Sequence, residues 1–273
     1  MQKGDFLLKD GTCRVLGLAP IRYEDRSWGE TVKERSKSIS RFFKAEFEQE
    51  KIKNETPSYF REQLIRSYTY KGPVVEWYCR IKSKLEGNYE VFHNLLPRTG
   101  TFYDLGCGYG FMSYMLHWAA NGRAFTGVDY DEDKIVTAQH NYKRDPDRIH
   151  FEHADLNEYT LNPCDGIIIS DVLHYLLPEQ QQALLDRCYA ALNAEGILII
   201  RDGVTELSER HKGTEQTEKY STQIIGFNKT QNELHFLSQQ SIEAWATAKG
   251  MSVQIIDNTK RTSNLIFVLR KQS

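Results

Sequence analysis

The 273-residue chain is 40% hydrophobic, enough to bury a sizeable core, and its formal net charge of -2 gives no overall attraction to nucleic acid. Its five cysteines, Cys13, Cys79, Cys107, Cys164 and Cys188, form no Cys-x-x-Cys pair and follow no secretory leader, the pattern of reduced thiols in a cytoplasmic protein. No apolar run approaches the roughly 18 residues of a membrane helix, and no repeat or low-complexity tract is visible.

Residues 5 to 25 alternate short apolar runs with turn signals: Phe6-Leu7-Leu8, then Lys9-Asp10-Gly11-Thr12, then Val15 to Ile21 broken by Gly17 and Pro20. A hairpin is the simplest reading. From Gly29 to about Lys53 the composition turns charged, and Ile39, Phe43 and Phe47 recur every fourth residue, which predicts a helix with one apolar side. A strand with Gly-Thr leading into such a helix resembles the tail of a lysophospholipid acyltransferase domain, without the His-x4-Asp motif of acyl transfer. The resemblance implies fusion to or association with an acyltransferase, a lipid-like acceptor and a peripheral membrane setting, with this chain a piece or a relative of a longer polypeptide.

Pro57 to Tyr70 and Pro73 to Leu85 read as further helices, the second opened by Pro73 and carrying Val74, Trp77, Tyr78, Ile81 and Leu85 on one face. The chain thus divides into an N-terminal hairpin and helix (1–55), a helical cap (56–87) and a larger domain (88–273). Tyr68 and Tyr70 lie in the hinge between the cap helices, where they either touch a substrate or pack helix against helix.

The stretch from Thr101 to Met112, Thr-Phe-Tyr-Asp-Leu-Gly-Cys-Gly-Tyr-Gly-Phe-Met, reads as a short buried strand, a glycine turn and a helix start. Phe111, Met115, Leu116 and Ala119 continue at helical spacing to a stop at Asn121-Gly122. Gly106, Gly108 and Gly110 bare the backbone, so a ligand can reach the N–H groups that open the helix. The dinucleotide pattern G-x-G-x-x-G needs a glycine where Phe111 stands. The motif is G-x-G-x-G instead, with Asp104 two residues ahead. It resembles the first motif, [DE]-x-G-x-G-x-G, of class I S-adenosylmethionine (SAM)-dependent methyltransferases. That resemblance implies SAM as cofactor and S-adenosylhomocysteine as product, with Asp104 and the glycines on the methionine part and Phe111, Met112 and Tyr70 among the contacts.

The next strand, Ala124 to Asp129, ends about 20 residues past the glycines, where an acid meets a ribose in nucleotide-binding βαβ units. Asp129 suits that place because a carboxylate accepts from both hydroxyls, and Tyr130 lies beside it. The alternative role, a helix N-cap, is open to Asp131 or Asp133 instead. A helix over Asp131 to Tyr142 and a strand from Arg148 follow. The resemblance implies that Asp155, next to Leu156, accepts from the adenine amino group. His150 and His153 fall on opposite faces of a strand, so no metal site is expected.

Asp165 to Ile169 is a continuous apolar run of the kind buried in a parallel sheet, and it ends in Ser170-Asp171-Val172-Leu173-His174-Tyr175. Ligands bind beyond the carboxyl ends of such strands, so Ser170, Asp171, His174 and Tyr175 face the site. The resemblance, whose members carry a lid of helices ahead of the glycine motif, implies Ser170 and Asp171 at the cofactor and His174 and Tyr175, with Tyr68 and Tyr70 of the cap, at the acceptor. The Asn/Asp-Pro-Pro-Tyr motif of amino-group methyltransferases is absent. His174 either removes a proton from an acceptor hydroxyl, its ordinary pKa being near neutrality, or holds the loop or covers the methionine end of the cofactor. The sequence itself shows no carboxylate that orients it.

Pro178 opens a helix with Leu184, Leu185, Cys188, Ala191 and Leu192 inward, and Gly196 releases the strand Ile197 to Ile200. Residues 202–237 form a polar insertion too long for an ordinary loop, either a lid or a surface elaboration. The helix Ser241 to Lys249 and the strands Val253 to Asp257 and Leu265 to Leu269 resemble the closing antiparallel pair of the methyltransferase fold. The expected architecture over residues 88–273 is an α/β three-layer sandwich around a seven-stranded, mostly parallel sheet, a Rossmann-like methyltransferase fold with an N-terminal helical cap. The implied activity is methyl transfer to oxygen, carbon or nitrogen of a small-molecule or lipid-like acceptor. The alternatives are a non-catalytic SAM-binding or S-adenosylhomocysteine-binding module of a lipid-modifying polypeptide and, against Phe111, a nicotinamide-dependent dehydrogenase.

Overall fold

The computed structural model describes residues 12–13, 21–22, 56–85, 88–141, 144–210, 234–259 and 262–273. Seven strands form its main sheet: β1 (Thr99–Leu105), β2 (Gly122–Asp129), β3 (Ile149–His153), β4 (Cys164–Ser170), β5 (Leu192–Gly203), β6 (Ser252–Ile256) and β7 (Asn264–Arg270). Their order is β3-β2-β1-β4-β5-β7-β6. The first five strands pair in parallel, and β7 runs antiparallel to both β5 and β6. The chain leaves β1 toward one edge through β2 and β3, then returns to lay β4 on the other side of β1. Ligand crevices of open α/β sheets form beyond the strand ends at such a reversal.

The apolar run of β4 is buried on both faces because helices cover both. Ile168 joins a cluster with Phe102, Phe125, Phe151 and the helices α4 (Phe111–Ala119) and α5 (Glu132–Gln139), while its neighbours Ile167 and Ile169 face α6 (Pro178–Ala191) and α7 (Gln239–Ala248). Period-two alternation thus splits the core into two layers, one on each side of the sheet. Ser238 caps α7 by accepting from Ser241 N at 2.9 Å, and Asp131 caps α5 by accepting from Asp133 N at 3.2 Å.

Ahead of the sheet come a 3-10 turn (Pro57–Phe60), α1 (Arg61–Ser67), a second 3-10 turn (Thr69–Lys71), α2 (Pro73–Leu85) and α3 (Asn88–Leu95). Phe60, Leu64, Ile65, Tyr68, Cys79, Tyr89 and Phe92 are buried in the cluster that holds α4 and α5, so these helices extend one helical layer. The inward face of α2 differs from the expected one. Val75, Tyr78 and Cys79 turn to the core, whereas Val74 is 58% and Trp77 43% exposed. Apolar residues occupy two adjoining stripes of this helix, and periodicity alone does not choose between them.

Arg123, at the start of β2, is fully buried and works as a staple. It donates to the carbonyls of His93 (3.0 Å), Leu96 (3.0 Å), Pro97 (2.6 Å) and Leu116 (3.0 Å). These include carbonyls in the last turns of α3 and α4 that have no helical partner.

At the amino terminus Thr12 pairs antiparallel with Arg22 and Cys13 with Ile21, a hairpin-type pairing within the segment where one is expected. The helix expected between Gly29 and Lys53 lies outside the described residues, as do residues 211–233 of the expected insertion. Its base is described: Val204 bridges to Leu237, Thr205 N donates to Leu237 O at 3.1 Å, and Glu206 accepts from Gln239 N (2.8 Å) and Gln240 N (3.2 Å). The segment therefore leaves and rejoins the fold at one point, beside the carboxyl end of β5.

Candidate cofactor and acceptor site

The turn after β1 is held against β2 by its own backbone, with Gly106 N and Cys107 N donating to Val128 O at 2.7 and 3.1 Å. Gly106 (φ +76°) and Gly110 (φ +74°) are closed in. A Cβ would lie 2.2 Å from Val172 Cγ2 at the first and 2.5 Å from the Phe151 ring at the second. Gly108 (φ +54°) differs, because the nearest atom to its would-be Cβ is Lys134 Cδ at 3.9 Å. The middle of the turn is thus bare and has space above it.

Asp129 ends β2 directly beside this turn and is buried. One carboxylate oxygen accepts from Gly108 N at 2.7 Å and the other from Asp131 N at 2.9 Å. Each oxygen can accept a further hydrogen bond. The cap of α5 is Asp131, which leaves Asp129 to brace the turn. Lys134 reaches back from α5 to 3.9 Å from Asp131, and burial pulls its ammonium pKa down against the opposing pull of Asp129 and Asp131.

Asp104 lies under the turn, where burial raises its carboxyl to about 6 despite the 2.6 Å hydrogen bond from Ser113 Oγ, with Asp129 adding to the rise. Phe111 and Met112 open α4 beside it, both buried. At the end of β3, Ala154 N donates to Asp129 O at 3.1 Å, which brings Asp155 to the same end of the sheet. Asp155 is exposed and closes a local turn by accepting from Asn157 N (2.8 Å) and Asn157 Nδ2 (2.9 Å), while Leu156 is buried. Tyr130 is 45% exposed, and its carbonyl lies 2.9 Å from His153 Nε2. Among the described residues no group of three or more His, Cys, Asp or Glu side chains is placed to hold a metal ion.

Ser170 and Asp171 end β4 on the other side of the reversal. Asp171 is left-handed at φ 57°, a costly conformation for a residue with a side chain. It is held there by Asp171 N donating to Arg201 O at 2.8 Å, by the Arg201 guanidinium on its carboxylate and by Asn264 Nδ2 at 2.9 Å. Ser170 Oγ stands 3.5 Å from the same carboxylate. The carboxylate therefore joins β4, β5 and β7.

His174 is buried, with Nδ1 2.5 Å from Asp202 Oδ1, a carboxylate partner that the sequence by itself did not show. The other Asp202 oxygen accepts from Leu173 N (2.8 Å) and His174 N (3.4 Å), so a single side chain at the end of β5 fixes both ring and loop. A carboxylate partner makes Nδ1 the protonated nitrogen and leaves Nε2 the basic one. Tyr175 and Phe236 rings pack at 4.2 and 5.6 Å from the imidazole. Gln181 Nε2 ties the loop to the returning insertion through Leu173 O (2.9 Å), Leu176 O (3.1 Å) and His235 O (2.7 Å).

His174 and Tyr175 therefore come together, but Tyr70 docks elsewhere, on α5, with its hydroxyl donating to Thr137 O at 2.9 Å. Tyr68 is fully buried and donates to Tyr109 O. Both hydroxyls are engaged with main-chain carbonyls. Sequence reasoning missed Asp202 and Arg201. The available signal was position: Arg201-Asp202-Gly203 follows the apolar run of β5 at the same height as Ser170-Asp171 after β4.

A sheet ordered in this way, with a glycine turn after its first strand and an acid after its second, is a Rossmann-like α/β fold. Residues 102–196 match the family model described as a methyltransferase domain. Carboxy-S-adenosyl-L-methionine synthase from Campylobacter concisus is 24% identical over 153 residues, 53% of this chain and 65% of that protein. The enzyme of the same name from Chromohalobacter salexigens is 30% identical over 122 residues, 43% of this chain and 45% of that protein. The chain thus spans about half to two thirds of the length of these curated relatives. Among solved structures, human N-acetylserotonin methyltransferase in complex with SAM is similar in fold, with a TM-score of 0.55 at 18% identity over 86% of this chain and 67% of that one. A Pyrococcus horikoshii protein gives a TM-score of 0.54 at 16% identity over 71% of this chain and 92% of that one.

Proposed function

We propose that the chain is an enzyme that transfers a methyl group from SAM to a small-molecule acceptor. The observation that carries this reading is the bare Gly108 backbone with the Asp129 carboxylate bonded to it at 2.7 Å, inside the stretch that matches the methyltransferase domain. The residues present are compatible with the cofactor: a Cβ at Gly108 would meet nothing closer than 3.9 Å, and the buried Asp129 carboxylate beside it can accept further hydrogen bonds. When bound, SAM supplies a methyl group on a cationic sulfonium. Asp129 accepts from the ribose hydroxyls, Asp104 and the turn hold the methionine part, and Asp155 meets the adenine amino group. His174 takes the acceptor's proton on Nε2 while Nδ1–H donates to Asp202. Tyr175 lines the acceptor side, and Ser170 and Asp171 shape the floor between the two ligands. Most of the acceleration comes from alignment of donor and acceptor, which in favourable cases lowers a barrier by roughly 7 to 11 kcal/mol.

A lipid-like acceptor is the finer form of the proposal, and it rests only on the resemblance of the opening segment. A second reading is favoured by the names of the relatives, that SAM itself is the molecule modified, with a carboxylated SAM as product. The test is to incubate the full chain with methyl-labelled SAM and panels of hydroxylated small molecules, lysolipids and carboxylic acids able to give up a carboxyl group, following label transfer, S-adenosylhomocysteine release and SAM mass by mass spectrometry. Labelled acceptor supports methyl transfer. Carboxylated SAM in its place moves the assignment to the second reading, and SAM binding without turnover on any acceptor leaves a binding module.

A further inference from the structure

Tyr68 sits at the carboxyl end of α1 and is wholly buried, yet it serves more than the packing of the cap. Its hydroxyl donates to the main-chain carbonyl of Tyr109, the residue between Gly108 and Gly110. Its ring meets Phe111, the first residue of α4, edge-on at 4.8 Å. Tyr78 comes from α2 to within 6.0 Å of both Tyr109 and Phe111, and Tyr109 stacks on Phe111 at 5.7 Å. The Asn141 side chain lies beside the same hydroxyl, and burial raises the phenol's pKa, which keeps it a donor.

The carbonyl of Tyr109 lies at the softest point of the turn. Glycines with positive φ flank it, and glycine tolerates many other conformations. Gly110 N donates to Cys107 O at 2.9 Å and closes the turn from within, and the Tyr68 hydroxyl holds it from outside. Tyr114 offers an internal comparison. Its hydroxyl also donates to a carbonyl at 2.6 Å, but that of Ala138 within α5 rather than in the glycine turn.

We propose that Tyr68 is a positioning residue that presets the glycine turn for the cofactor, and that the cap and the cofactor are coupled through it. The inference rests on the SAM-binding reading given above. Coupling between two binding events is reciprocal, so the bond that favours SAM also makes SAM tighten residues 56–85 onto the domain.

The test uses the full chain as wild type, Tyr68→Phe and Tyr114→Phe, with SAM affinity by titration calorimetry and amide hydrogen exchange of residues 56–85 with and without SAM. Tyr68→Phe keeps the ring and is expected to raise the SAM dissociation constant roughly 3- to 10-fold, the effect of one neutral hydrogen bond. Tyr114→Phe is expected to bind SAM as wild type while losing a similar amount of thermal stability without ligand. SAM is expected to slow exchange across 56–85 in wild type and to do so less in Tyr68→Phe. Equal SAM affinity in wild type and Tyr68→Phe overturns the proposal, as does wild-type exchange in 56–85 that SAM leaves unchanged. A wild type that binds no SAM is a different result, because it removes the cofactor reading and this inference with it.

Discussion

Asp104 and His93 are buried ionisable groups whose protons act on stability in opposite directions. Burial raises Asp104 from 3.8 to about 6, so as pH rises through that window the unfolded chain gives up a proton that the folded chain retains, and stability falls. His93 is lowered from 6.5 to about 4, by burial first and then by Arg123 and Arg98, so its contribution is present above 6.5 and lost as pH falls toward 4. The two slopes overlap between about 4 and 6. Asp104→Asn is expected to leave the His93 slope unopposed, so urea unfolding from pH 4 to 6 should show a steeper gain in stability with pH than in wild type. The same carboxyl should govern the cofactor. SAM affinity is expected to fall as pH drops below about 6, because a cationic ligand favours the ionised acid, and Asp104→Asn should lose that dependence. At His174, the Gln variant is expected to lower kcat by roughly 100-fold or more while SAM affinity stays near wild type. A drop in affinity equal to the drop in kcat would assign the imidazole to holding the loop instead.

Among the elements, the glycine turn separates packing from ligand access. Gly106→Ala places a methyl 2.2 Å from Val172 at positive φ and is expected to destabilise the fold by roughly 2 kcal/mol or more in denaturant unfolding. Gly108→Ala meets nothing closer than 3.9 Å, so its stability cost should stay near the roughly 1 kcal/mol of backbone strain while SAM affinity falls sharply. Variants that behave alike would show that Gly108 has no ligand above it. Arg123→Met is expected to cost at least roughly 1 to 3 kcal/mol, because the carbonyls of His93, Leu96, Pro97 and Leu116 lose their donor.

For the whole molecule, what was legible in the sequence was what local pattern dictates. The alternation of apolar runs with helical periods located the seven strands of the main sheet and four of the helices around them, and the glycines, Asp104 and Asp129 are residues that the fold brings together at one end of the sheet. Asn88–Leu95 went unread because eight residues of mixed polarity carry too short a period. Trp77 and Val74 were turned the wrong way because α2 has two apolar stripes and only its partners select one. Asp202 lies 28 positions from His174, and the pairing exists only because β5 is laid beside β4. The hydroxyls of Tyr68 and Tyr70 found backbone carbonyls, which are present at every residue and leave no trace in a sequence.

The central claim, that this sheet holds SAM across the Gly108 and Asp129 junction, is tested most directly by calorimetric titration of SAM, S-adenosylhomocysteine and NAD into wild type and Asp129→Ala, with circular dichroism to verify that the variant is folded. The account predicts that wild type binds SAM and S-adenosylhomocysteine and not NAD, and that folded Asp129→Ala binds both roughly 100-fold or more weakly, since two hydrogen bonds to a charged group are lost. Binding of NAD alone, or SAM binding that the variant leaves unchanged, would contradict it.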